Sequence, residues 1–254
     1  MPAGNCEKYI QDAIKSILNQ SFSDFELIIV DSGSTDETLT IVKSFCDLRI
    51  CVIAQNDLSD AIQALNKGLE SAEGKYVAIM RPDCIMHVDR LKIQHATMEA
   101  EPSVTVCSTL VKKGGNPKPP PGGLIENPLI AFLHGNSIIH PTVMMRKQFL
   151  TINKLQYENY PDVDDFKLWA EIAKRGGQFY IDTQTLTYCC VDSEQDNKKS
   201  ESVINEIVEF LAKKSPELDV ILAKFKILQD KEMMTQQDIV AFFKHFFIKN
   251  KEKI

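Results

Sequence analysis

The 254-residue chain has no apolar run long enough to cross a bilayer. It also lacks a basic leader with an apolar stretch and a small-residue cleavage site, so a cytoplasmic location is expected. Basic residues are not in excess: 29 Lys and Arg stand against 35 Asp and Glu, a net charge of −6. That balance argues against broad nucleic-acid binding, which needs clustered Lys and Arg to neutralise phosphates. No Cys-x-x-Cys pair occurs among the seven cysteines, at positions 6, 46, 51, 84, 107, 189 and 190. An odd count without metal-ligand spacing reads as reduced, mostly buried thiols rather than a disulfide frame or a zinc site. Cys189 and Cys190 are adjacent, and sequence neighbours rarely bridge. No Gly-x-Gly-x-x-Gly follows a strand, which disfavours a dinucleotide-binding oxidoreductase. The single tryptophan, Trp169, reads as core.

What is present is ordinary for a globular protein, with 44% apolar and 25% charged residues. The length suits one large α/β domain, alone or with an appendage. Tyr9, Ile10, Ala13, Ile14, Ile17 and Leu18 recur at helical spacing, predicting a helix over 6–19. A strand is predicted at 26–30, a helix over 36–45 and a strand at 49–54. A helix over 59–72 carries Ile62, Leu65 and Leu69 on one face and ends at Gly74. A buried strand at 76–80, a helix over 90–99 and a strand at 104–110 follow. This alternation implies a mostly parallel sheet flanked by helices. Residues 112–123, rich in Gly and Pro, read as a long binding or lid loop. From about Asp196 the chain turns helical and Lys/Glu-rich, so the expected division is 1–195 with a helical C-terminal extension, 196–254. The Phe242–Phe247 cluster there reads as helix packing, with peripheral membrane contact as the second reading.

The segment Phe25-Glu-Leu-Ile-Ile-Val-Asp-Ser-Gly-Ser-Thr-Asp36 is the most telling. A β-branched run ends in Asp31, a Gly turn follows, and Ser34 or Thr35 can cap the next helix. In open α/β sheets ligands bind beyond the carboxyl ends of strands, so Asp31 is placed to meet one.

In order along the chain come Tyr9 to Asp31, Gly33-Ser-Thr-Asp36, Ala64-Leu-Asn-Lys-Gly68, Ala72-Glu-Gly-Lys-Tyr76, Asp89-Arg-Leu91, His140-Pro-Thr142 and Asp164-Asp-Phe-Lys-Leu-Trp169. With these landmarks the chain resembles the family 2 glycosyltransferases over roughly its first three-quarters. The resemblance implies a GT-A nucleotide-sugar-binding α/β fold. It implies transfer of a sugar, with inversion, from a nucleotide-diphosphate sugar, a UDP-sugar for preference, to a glycan or lipid-linked acceptor hydroxyl in polysaccharide or glycoconjugate assembly. It also implies a nucleotide-base pocket, a divalent cation (Mn²⁺ or Mg²⁺) offsetting the diphosphate charge, and a carboxylate that takes the acceptor proton.

By the same resemblance, Asp164 and Asp165 occupy the catalytic acid pair, with Asp165 the base; N-capping is the structural alternative for one of them. Pro2, Gly4, Asp31 and Ser32 fall at the nucleotide site, with Gly4 where an aromatic is usual and Ser32 where an acid is usual. Arg81-Pro82-Asp83 stands where an Asp-x-Asp motif is usual. Asp83 is then the metal-touching acid of a weakly held or dispensable cation. Arg81 either neutralises the diphosphate directly or points to solvent. Tyr188-Cys-Cys-Val191 replaces the usual phosphate-facing Arg and His. His140 either positions substrate or is a buried structural residue. The family's apolar first strand is missing before Met1, which would leave two interior strand edges unpaired. Either the protein starts further upstream or another element compensates. These departures keep a second function open, a catalytically impaired relative that acts as a binding or partner module.

Overall fold

The computed structural model describes residues 1–254 except 56–60, 113–121, 160–163, 191–200, 232 and 251–254. The 112–123 loop reading therefore lies almost wholly outside the described residues.

A parallel three-stranded sheet comes first, ordered β1 (Pro2–Ala3), β2 (Leu27–Asp31), β3 (Ile50–Ala54). Every residue of β2 is buried, as its unbroken apolar run requires of a strand covered on both faces. Helices α1 (Ile10–Leu18), α2 (Thr38–Lys43) and α3 (Ala61–Ser71) join and cover these strands. The α1 face carrying Ile10, Ala13, Ile14 and Ile17 is buried, matching its period. Where the resemblance leaves the first strand missing, the two residues of β1 pair with Val30 and Asp31.

The second sheet runs β4 (Tyr76–Ala78), β8 (Met144–Arg146), β6 (Val104–Lys112), β9 (Gln178–Cys189), β5 (Cys84–Met86), with β7 (Gly123–Leu124) also on β9. Here β6 and β9 are parallel, while the β4–β8, β6–β8, β5–β9 and β7–β9 pairs are antiparallel. The α/β class is as expected. Among the described residues, parallel pairing is confined to the first sheet and β6–β9.

The antiparallel register sets Cys84 directly opposite Cys189, and the two form a disulfide across 105 residues. This corrects the expectation of wholly reduced thiols: the pairing depends on strand register, which spacing along the chain does not reveal. Cys6 and Cys107 are buried, whereas Cys46, Cys51 and Cys190 are exposed. Burial pushes the Cys107 thiol up to about 12.

Helices α4 (Arg90–Ala100), α5 (Pro128–Phe132), α6 (Lys147–Ile152) and α7 (Asp164–Lys174) complete the sheet layers. Helices α8 (Glu201–Ala212), α9 (Pro216–Asp230) and α10 (Gln236–Lys249) form the C-terminal part. Ile204, Ile207, Leu211, Ile239, Phe243 and Phe247 are buried in the same core as Phe132, Trp169 and Phe179. The terminal phenylalanines thus pack inward, with Phe242 39% exposed. Lys167 and Lys174 of α7 both pair with Glu171 of the same helix and with Glu206 of α8. Arg175 adds a further bond to Glu171. Burial alone would raise Glu171, but bonds from Arg175 and Lys174 outweigh it and pull the carboxyl down to about 2. Among the described residues, no helix is long and apolar enough to cross a membrane.

A cavity of about 560 Å³ lies between the two sheets. It is lined by Met1, Pro2, Leu27 and Ile28 on one side and Tyr76 to Ile79 on the other. The strand expected to be fully buried at 76–80 is accordingly only half-buried along Tyr76–Ala78.

Candidate active site

The turns after β1 and β2 are tied to each other. Ser32 N–H donates to Ala3 O at 2.8 Å, and Asn5 N–H donates to Ser34 Oγ at 3.0 Å. Asn5 Oδ1 accepts from Thr35 N–H at 2.9 Å. Asp31 is 2% exposed. Its Oδ2 accepts from Ser34 N–H at 3.2 Å and its Oδ1 accepts from the Ser34 hydroxyl. Gly33 makes this turn possible, with φ of 77° in the left-handed region. Ser34 is thereby committed to Asp31, and Thr35 does not cap α2 either. Asp36 Oδ1 accepts from Thr38 N–H at 2.9 Å instead. A side chain added at Gly4 would meet Ser32 Cβ at 4.0 Å, so the space above Ser32 is open. Pro2 lies one strand residue earlier, in β1 and against the cavity between the sheets.

The second group follows β4. Arg81 Nε donates to Asp83 Oδ1 at 2.9 Å and Arg81 Nη2 to Asp83 Oδ2 at 2.6 Å, a fork that uses both carboxylate oxygens. Asp83 is 9% exposed. Its carbonyl accepts from Cys190 N–H at 2.9 Å, and the Cys84–Cys189 disulfide begins one residue on. The turn is thus pinned to the end of β9. Beneath it, the buried Arg90 donates to Ile79 O at 3.0 Å, Val143 O at 3.3 Å and Gln94 Oε1 at 3.0 Å. Gln94 Nε2 donates to Cys107 O and Thr142 O, each at 2.8 Å. Arg90 and Gln94 therefore brace the chain entering Arg81 against the turn containing His140. Burial without a carboxylate partner pulls the Arg90 guanidinium down to about 9.

The third group sits where α7 begins. Asn136 Oδ1 accepts from Ile138 N–H at 2.9 Å, which fixes the amide so that its Nδ2 donates to Asp165 Oδ2 at 3.1 Å. Asp165 Oδ1 accepts from Phe166 N–H at 2.8 Å. The carboxylate is held by two donors while keeping acceptor capacity for a third. His140 Nε2 lies 2.8 Å from the Tyr157 hydroxyl, and Asn66 holds the Tyr157 backbone through both its N–H and its C=O. Burial lowers the His140 imidazole; Asp165 opposes that shift and Arg81 adds to it. Ile79 N–H donates to Val143 O at 3.0 Å and the His140 ring lies 6.2 Å from that of Trp169 on α7, so the strand entering Arg81, the His140 turn and α7 are linked. Burial, with Asp165 adding, raises the Tyr157 hydroxyl.

Of the residues expected from sequence, Arg81 and Asp83 pair in the second group, His140 and Asp165 fall in the third, and Asp31, Ser32 and Gly4 form a turn cluster on the first sheet. Asp164 opens α7. Arg90, Asn136 and Tyr157 were not anticipated as site residues. Arg90 and Gln94 had a visible signal, a long polar pair four apart on a helix face otherwise carrying Leu91 and Met98. Asn136 had none, because its role depends on a loop geometry that spacing does not encode.

Among the described residues, no group of three or more His, Cys, Asp or Glu side chains could hold a metal ion. Asp83 is the one acid at the expected metal position, and both its oxygens bond Arg81. Among the described residues, a cation here would rest on Asp83 together with the donor's phosphate oxygens.

Two sheets with helices on both faces, a Gly turn at the carboxyl end of β2, and an acid held in place at the start of α7 define a GT-A-type α/β protein. The sequence model of glycosyl transferase family 2 matches residues 1–169, and the chain belongs to that family. An uncharacterised glycosyltransferase of Haemophilus influenzae is 32% identical over 192 residues, covering 68% of this chain and 59% of its own length. The UDP-Glc:α-D-GlcNAc-diphosphoundecaprenol β-1,3-glucosyltransferase WfaP of Escherichia coli is 28% identical over 180 residues, 68% of each chain. The fold is that of Staphylococcus aureus TarS, solved as residues 1–349 with UDP-GlcNAc. Its TM-score is 0.69 at 22% identity, covering 96% of this chain and 71% of that one.

Proposed function

We propose that the protein transfers a sugar from a UDP-sugar to a hydroxyl of a glycan or lipid-linked acceptor. Asp165 is the base that takes the acceptor proton as the oxygen attacks the anomeric carbon. Arg81 neutralises the leaving diphosphate in place of a divalent cation. Asp31 and Ser32 form the edge of the nucleotide-base pocket, where the Ser32 hydroxyl offers a neutral acceptor in place of an acid. The observation that carries this reading is the Asp165 carboxylate, held by Asn136 Nδ2 and Phe166 N–H at the start of α7 with acceptor capacity left over. WfaP acts on a lipid-linked diphosphate sugar, and TarS was solved with UDP-GlcNAc. Both support the substrate class.

The test is release of UDP from UDP-glucose and UDP-GlcNAc in the presence of undecaprenyl-diphosphate-linked GlcNAc. Asp165→Asn is expected to lower turnover by roughly 10²- to 10⁴-fold while UDP affinity stays within about twofold. Unchanged turnover would refute the role of Asp165. The closed Arg81–Asp83 fork favours the second reading, a relative that keeps the fold as a binding module. Failure of the folded protein to bind any nucleotide diphosphate would overturn the enzyme reading.

A further inference from the structure

The His140-Pro-Thr142 turn is held on several sides, yet one of its polar groups is left unused. Thr142 Oγ1 donates to Ile139 O at 2.7 Å, accepts from Thr109 N–H at 3.2 Å and lies 2.9 Å from Ser108 Oγ. His140 itself is half-buried. Its Nε2 edge faces the Tyr157 hydroxyl at 2.8 Å, and the two rings meet edge to face at 88°. Tyr157 is 1% exposed. Its N–H donates to Asn66 Oδ1 and its carbonyl accepts from Asn66 Nδ2, each at 2.8 Å, so the phenol is fixed from behind.

That bond decides which imidazole nitrogen carries the proton. Burial favours the neutral ring, which has one N–H and one bare nitrogen. A phenol is the better donor and a bare imidazole nitrogen the better acceptor, so Tyr157 O–H donates to Nε2. The partner of one ring nitrogen sets the state of the other, and the proton therefore sits on Nδ1. Among the described residues Nδ1 has no partner. It is a preset donor on the open side of the ring.

The turn also lies along the start of α7. Asn136 donates to Asp165, and His140, four residues further on, has its ring 6.2 Å from that of Trp169, four residues beyond Asp165. Four residues make about one helical turn. Helical side chains lean toward the N-terminus, so Trp169 covers the turn that carries Asp165. The imidazole is thereby set against the same turn of α7 as the carboxylate.

We propose that His140 Nδ1–H binds a hydroxyl of the acceptor sugar beside the one that reacts, and that Tyr157 is a positioning residue that fixes the tautomer. This rests on the reading of Asp165 as the base. A base must touch the acceptor hydroxyl, so the acceptor sugar is the group that lies against this turn of α7. A neutral N–H suits a hydroxyl oxygen there, whereas an imidazolium would compete for the Asp165 carboxylate.

The test is steady-state transfer to undecaprenyl-diphosphate-linked GlcNAc from whichever of UDP-glucose and UDP-GlcNAc turns over, with UDP affinity measured by titration. His140→Ala is expected to raise the acceptor KM roughly 3- to 10-fold, the value of one neutral hydrogen bond, with UDP affinity within about twofold. His140→Asn keeps an N–H near the Nδ1 position and should recover most of that loss. Tyr157→Phe leaves the tautomer unset and should raise the acceptor KM about two- to fourfold, again with UDP affinity unchanged. Should His140→Ala fail to fold, Tyr157→Phe decides. An unchanged acceptor KM in Tyr157→Phe or in folded His140→Ala would overturn the proposal. So would no recovery in His140→Asn, or a loss of UDP affinity in parallel with the acceptor KM. A wild type that binds UDP yet transfers nothing would overturn the reading of Asp165 as the base, and this assignment with it.

Discussion

The fork between Arg81 and Asp83 makes nucleotide affinity a quantitative test of how the diphosphate charge is met. If the guanidinium takes the diphosphate, it must first give up bonds of 2.9 and 2.6 Å to Asp83. Each charge-assisted bond contributes roughly 1.5–3 kcal/mol. After that exchange, about one such bond remains as net gain. Arg81→Ala should therefore weaken UDP binding by roughly 10- to 140-fold. Asp83→Asn removes the competing carboxylate and should tighten UDP by a few-fold. Isothermal titration of UDP in EDTA and in Mn²⁺ measures both. The wild type should bind nearly equally in the two buffers. A wild type that binds only with Mn²⁺, and loses that binding in Asp83→Asn, would refute the reasoning and make Asp83 a metal ligand. So would an Arg81→Ala protein that binds UDP as the wild type does.

Asn136→Ala should lower turnover roughly tenfold, the value of one hydrogen bond to a charged group, with UDP affinity unchanged; a fall in affinity alone would contradict its orienting role. Reduction, or Cys189→Ser, should cost roughly 3–5 kcal/mol, since the bridge closes a long loop across 105 residues; urea unfolding with and without reductant measures it. Glu171 has its folded-state carboxyl held at about 2, below the usual 4.5. Its contribution is therefore complete above about pH 4.5 and drains away as the pH falls toward 2. Urea midpoints across that window should drop, and Glu171→Gln should flatten the drop.

Much of the fold was legible because burial writes itself into period. The Leu27–Val30 run and the Ile10–Ile17 face were readable for that reason, and helix α4 was placed to within a residue at its end. Helix α2 was located but its cap was misassigned, because Ser34 bonds back to Asp31 and leaves Asp36 to meet Thr38 N–H. Strand direction in the second sheet was not legible: short strands such as Met144–Arg146 carry no mark of parallel or antiparallel partners. The Cys84–Cys189 bridge was hidden for the same reason. In the site, acids and basic residues announced themselves through their neighbours in the sequence. The side chains that aim them, Asn136 and Arg90, became visible only when loops and strand ends were brought together.

Helix α7 bears Asp165 at its first turn and Lys174 at its last, and Lys174 is held by Glu206 of α8. The rigid rod between them is a lever with the Asp165 carboxylate at one tip and the C-terminal helices gripping the other. A displacement of α8 would tilt that rod and swing the carboxylate relative to Asn136 and Arg81. The packing of the C-terminal helices and the aim of the Asp165 carboxylate are therefore two ends of one rigid element.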